Sequence, residues 1–102
     1  MTETRLFFGR DIKGGGVVDD AAWGDFAARV LTPAFPDGFT VYAAVGQWRN
    51  PSKGKIVREP TEVVQIDGAV LPQAIAEVTA VYRQEFHQIS VGVETAPVCA
   101  AF

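Results

Sequence analysis

The chain has 102 residues, 48% of them apolar and 21% charged, with a formal net charge of −3. That describes one domain (residues 1–102) of ordinary globular composition, with room for one core. Its nine Lys and Arg are scattered rather than gathered into a basic stripe, and no apolar run approaches the roughly 20 residues that cross a bilayer, so neither nucleic acid nor membrane is an expected partner.

Residues 5–12 alternate Leu6, Phe8, Arg10 and Ile12 against Phe7, Gly9 and Asp11, which predicts a first strand with apolar side chains on both faces. Lys13-Gly14-Gly15-Gly16 reads as a loop; it lacks the Gly-Lys-Ser/Thr ending of a phosphate cradle. Asp19 is placed to cap a helix, with Val18 and Trp23 at the spacing of a hydrophobic staple. Trp23, Phe26, Ala27, Val30 and Leu31 form one helical face, and Pro33 and Pro36 are expected to stop that helix.

A second strand is predicted over 39–48. Phe39, Val41, Ala43 and Val45 share one side, and Tyr42, Ala44, Gly46 and Trp48 the other. The chain reverses through 50–54 and returns over 55–66. Pro60 has no amide to donate, so a bulge is expected there, separating an outer hairpin (56–59) from a strand seated in the sheet (61–66). Asp67-Gly68 turns the chain into a second helix over 70–87, with Leu71, Ala74, Ile75, Val78, Tyr82 and Phe86 as its stripe and Pro72 in its first turn. Ile89, Val91 and Val93 then predict a half-buried fourth strand, and the apolar tail 96–102 is expected to pack, with Cys99 as buried filler. A lone cysteine excludes an intrachain disulfide, no basic-then-apolar segment opens the chain, and a reducing cytoplasm is the expected location.

Strand, helix, strand, strand, helix, strand is the order of the α+β ferredoxin-like βαββαβ sandwich, an antiparallel sheet with both helices on one face. Phe7 and one face of the second strand would then be left bare. An apolar sheet face of that size is rare on a monomer, so a homodimer or higher even oligomer is expected, in the manner of a dimeric α+β barrel.

The polar residues best suited to chemistry gather on the hairpin. Arg49, Arg58 and Glu59 are the candidate catalytic group: two arginines could hold an anion while Glu59 takes a proton. Tyr42, Gln47, Trp48 and Arg10 are the candidate substrate-binding residues. An arginine beside Glu59 would also depress its pKa, making it an anchor rather than a base. His87 is expected as a solvated residue at a helix end. One His and one Cys are too few for zinc, and no cofactor is expected.

The chain resembles a bacterial family known only as domain-of-unknown-function family 3574. The resemblance is carried by Phe8-Gly9-Arg10, Trp23, Phe26, Thr32-Pro33, Phe35-Pro36-Asp37-Gly38 and Thr40-Val41. Gly46-Gln47-Trp48-Arg49, Arg58-Glu59, Tyr82, Phe86, Gln88 and Ser90-Val91 complete it. His87 departs from it, standing where a small residue is expected. The resemblance implies that the hairpin tip is a shared feature and implies no activity. Two readings follow: a cofactor-independent enzyme of proton-transfer, isomerase or lyase type acting on an organic anion or polar aromatic, or a non-catalytic binding or assembly module that uses the 46–59 arm.

Overall fold

A computed structural model describes all 102 residues. The elements are β1 (Thr2–Gly9), α1 (Asp20–Phe26), a π-helical turn (Ala27–Leu31), α2 (Thr32–Ala34), β2 (Thr40–Arg49), β3 (Ile56–Asp67), α3 (Pro72–Glu85) and β4 (Gly92–Pro97). The strands form one antiparallel sheet in the order β2-β3-β1-β4. Leu6 and Phe8 of β1, with Val64 and Ile66 of β3, meet Trp23, Phe26, Leu31, Val78 and Tyr82 in a single core. These sheet residues share one face by strand alternation, so the helices pack on that side. The result is a small α+β domain.

The core is aromatic at its centre. The Phe8 ring lies 4.8 Å from Tyr82, 5.3 Å from Trp23 and 5.7 Å from Phe26, and two of the three pairs meet edge to face. Asp19 caps α1 as its position predicts: its backbone is extended and its carboxylate accepts from the Ala22 amide at 2.8 Å. Such a cap contributes about 1 kcal/mol.

The helix does not stop at Pro33. It passes through a π-helical turn in which the Thr32 amide reaches back to the Ala27 carbonyl. In an α-helix the Pro33 ring would press on the Arg29 carbonyl; the wider turn just before it relieves that contact. The helix ends at Phe35, whose backbone (φ −127, ψ 66) has left the helical region ahead of Pro36.

No bulge forms at Pro60 either. β3 runs unbroken for 12 residues, and Pro60 pairs with Val45. The Pro60 carbonyl accepts from the Arg10 amide at 2.9 Å, so the hydrogen-bonding edge of this residue faces β1, not β2. The missing amide therefore points to where β1 has already ended, and no ladder bond is lost.

Three expectations at the C-terminal end are also revised. α3 closes in a left-handed residue, His87 at φ 53, and the Gln88 amide reaches the Arg83 carbonyl at 3.0 Å. That conformation favours glycine and explains why a small residue is expected there. The chain then runs irregularly until Gly92, which leaves Ile89 79% exposed rather than inward. The tail is tied to Met1 through Val98, while Cys99 and Phe102 are exposed.

β2 is an edge strand covered on neither face. Val41 and Val45 stand exposed on the helix side, and Tyr42 and Trp48 on the other.

Candidate functional site

Glu59 and Thr61 alternate onto the face of the sheet that the helices leave bare, and Gly46 of β2 pairs directly with Glu59. Gly9 ends β1 opposite Thr61, and Phe7 pairs with Gly92 of β4. A cavity of about 700 Å³ opens over these residues, with Trp48 and Val57 on its hairpin side. Its opposite rim comes from two irregular segments, one carrying Asp11, Ile12 and Lys13, the other His87 to Ser90.

Glu59 is only 8% exposed. One carboxylate oxygen, Oε2, accepts the Asp11 amide at 2.9 Å, and this is its sole hydrogen bond. The other, Oε1, lies against Gly9 so closely that a Cβ there would sit 2.3 Å from it. Burial pushes the Glu59 pKa above the ordinary carboxylate value; the Asp11 amide opposes that shift and the Asp11 carboxylate adds to it.

The segment that holds Glu59 is itself held from α3. The Tyr82 hydroxyl donates to the Gly9 carbonyl at 2.7 Å, and Gln88 Nε2 donates to the Asp11 carbonyl at 2.6 Å. Tyr82 is fully buried, and burial together with the nearby Glu59 and Glu62 charges pushes its phenol well above the ordinary value. It is a neutral donor.

The arginines expected beside Glu59 are elsewhere. Arg58 follows strand alternation to the opposite face, where its cross-strand partner is Gln47. Arg49 sits at the tip, exposed, and donates to the Gly54 carbonyl at 3.4 Å. Arg10 is a clasp under the sheet: Nε donates to the Val18 carbonyl at 2.7 Å, Nη1 to Glu62 at 3.1 Å and Nη2 to Asp20 at 2.8 Å. The depressed Glu59 pKa expected from an arginine neighbour is thus replaced by a raised one.

Trp48 lines the cavity with Glu59; Gln47 borders it too, but strand alternation puts its side chain on the Arg58 face, and Tyr42 lies on the cavity's face outside it. Asp11 and Thr61 were not singled out from the sequence, and Gly9, Gly46 and Gln88 enter there only through the family resemblance, not as site residues. One signal for them was present: Gly9, Gly46 and Gly92, the three strand glycines, all fall on the bare face. Strand glycine often marks the close approach of another group. No three His, Cys, Asp or Glu side chains converge as a metal site, and no helix is long and apolar enough to cross a membrane.

The fold is shared with solved structures. A phage SAM lyase in complex with S-methyl-5′-thioadenosine superposes with a TM-score of 0.70 at 19% identity, covering 93% of this chain and 79% of that one. A phage SAM lyase in its apo state gives 0.57 at 20% identity, covering 93% and 78%. No curated protein matches the chain. Residues 3–102 match the family described as "Protein of unknown function (DUF3574)", and the chain belongs to that family.

Proposed function

We propose that this chain is a small cofactor-independent enzyme of lyase type, with its site in the cavity on the bare sheet face and Glu59 as the group that takes the proton. The observation that carries this reading is the Glu59 carboxyl itself: buried, aligned by one amide, and ion-paired with no arginine or lysine. A carboxylate whose pKa is raised toward neutrality is a better base than one locked in an ion pair. The absence of an arginine clamp favours the polar-aromatic class of substrate over an organic anion, and Trp48 and Phe7 supply ring faces for it.

The phage SAM lyases, alike in fold, make a nucleoside bearing a carbon–sulfur bond the first substrate to try. In an elimination of that kind, Glu59 removes a proton from the carbon next to the one bearing sulfur. The C–H pair becomes the new double bond, the C–S pair leaves on sulfur, and the proton on Glu59 returns to water. Trp48 would contact the substrate, with the Gln47 side chain turned to the other face. Arg49, Arg58 and Arg10 take no part in this step.

The test is to incubate the protein with S-adenosylmethionine and follow S-methyl-5′-thioadenosine by chromatography. The parent should release it, and Glu59→Gln should be slower by about 100-fold or more. Equal rates in both proteins would remove Glu59 from the chemistry, and no release from either would remove this substrate.

A second reading rests on β2, which is exposed along both faces and one edge. We propose that a ferredoxin-like sandwich of this kind pairs with a second copy through the bare face, as a dimeric α+β barrel. If the arm serves assembly alone, the oligomer should form while no ligand binds the cavity.

A further inference from the structure

The Glu59 carboxylate poses an electrostatic problem that the fold leaves unsolved. An ionised carboxylate removed from water is costly unless a cation or several donors compensate it. Here one amide does so, at Oε2. Oε1 accepts no hydrogen bond. The three arginines that could serve are committed or turned away: Arg10 lies under the sheet with Glu62 and Asp20, Arg58 points to the opposite face, and Arg49 is at the hairpin tip.

The groups that face Glu59 leave the problem standing, because the one cation among them with a fixed charge, Lys13, is exposed on the rim and pairs with no carboxylate. From the segment after β1 come Asp11, a second carboxylate, and Lys13, which makes no ion pair; from the end of α3 comes His87, and from beneath comes the neutral Tyr82 hydroxyl. β1, β2 and β4 contribute no charged group to the cavity; they contribute Gly9, Gly46 and Gly92, with the rings of Phe7 and Trp48. The Phe7 ring lies over Gly92 and the Trp48 ring edge over Gly46, at 3.3 and 3.6 Å from where a Cβ would be. The bare backbone thus lets both rings lie low in the cavity that Glu59 also lines. A carboxylate without a counter-ion, beside aromatic faces, is the chemistry that receives a weakly hydrated cation.

We infer that the cavity is built for a ligand bearing an onium centre, sulfonium or ammonium, which supplies the counter-ion that Glu59 Oε1 lacks and packs against Trp48 and Phe7. The inference rests on the site proposed above but not on its chemistry. The ligand's charge would hold Glu59 ionised when bound, and the site would discriminate against an uncharged analogue of the same shape. That selectivity is a property of binding alone.

The test uses simple ions, so that it does not depend on any nucleoside. The Glu59 side-chain carboxyl carbon is followed by NMR through a pH titration of the whole protein, first in sodium chloride. The titration is then repeated with trimethylsulfonium chloride, tetramethylammonium chloride or uncharged tert-butanol at equal ionic strength. One or both onium ions should lower the Glu59 midpoint and shift the Trp48 indole resonances, while tert-butanol does neither. The ion that acts more strongly identifies the sulfonium or ammonium source. Binding of that ion should fall at least about tenfold in Glu59→Gln, a loss near 1.4 kcal/mol. If both onium ions leave the Glu59 midpoint where sodium leaves it, or if Glu59→Gln binds them as tightly as the parent, the inference is overturned. Onium binding without turnover of S-adenosylmethionine would sustain the inference and sink the lyase chemistry; turnover with no onium preference would do the reverse.

Discussion

The Asp11 amide donates to Glu59 Oε2 at 2.9 Å, and the same residue's carbonyl accepts from Gln88 at 2.6 Å. One peptide segment therefore links the end of α3 to the carboxylate at the floor of the cavity. The position of Glu59 depends on a helix from which it is separated by the thickness of the sheet. Gln88→Ala should leave the core intact, since Gln88 is no part of it. It should loosen Asp11 and change the Glu59 titration midpoint in a carbon-detected NMR titration, with overall stability lowered by only about 1 kcal/mol.

Gly9→Ala separates the fold from the site. A Cβ at residue 9 would collide with Glu59 Oε1 rather than with backbone, and the end of a flexible side chain can move aside. Alanine in a strand is favoured over glycine by about 0.5–1 kcal/mol. The variant is expected to fold with stability close to the parent's by denaturant titration. It should lose cavity binding because the carboxylate has swung out.

Stability against pH gives an independent reading of Glu59. Its folded pKa lies above its unfolded value because burial disfavours the charge. The unfolded chain therefore ionises first as pH rises, and the stability this group contributes below the unfolded pKa is lost as pH rises through the folded one. Glu59→Gln should be more stable than the parent at pH 7. That advantage should shrink as pH falls and vanish below about pH 4, where both forms are protonated. Paired chemical-denaturation curves across that range would measure it.

Trp23 is a core residue by this structure, 9% exposed and packed on Phe8, Phe26 and Tyr82. Trp23→Ala should cost about 3–5 kcal/mol. An unchanged denaturant midpoint would contradict the packing described.

Assembly can be checked by sedimentation equilibrium at micromolar concentration. A dimer near twice the 11.0 kDa chain mass is expected, burying at least about 1,000 Å² in total. Tyr42→Lys, at an exposed position of β2 on the bare face and outside the cavity, should weaken it. A clean monomer would contradict the pairing.

Much of this fold is legible in the residues, and the reasons for the failures are physical. The Asp19 cap, the Trp23 face and the alternation of β1 follow from local periodicity, which the packing then obeys. Pro60 misleads because its cost depends on which edge of the strand its amide would have faced, and that depends on where β1 ends. The pairing of Arg58 with Glu59 fails on alternation alone: adjacent residues of one strand point to opposite faces and cannot act together. Asp11, His87 and Gln88 come to the site from irregular segments, where no repeat in the sequence places a side chain.

The claim on which the rest depends is that a small ligand occupies the cavity over Glu59. A crystal structure of the protein grown with S-adenosylmethionine, which carries the sulfonium centre that the cavity is inferred to prefer, tests it directly. The account predicts the nucleoside seated on the face formed by Gly9, Gly46 and Gly92, in contact with Glu59 and Trp48. A ligand bound only elsewhere, such as the smaller depression between Asp37 and Asp67, with the Glu59 cavity empty, would contradict it.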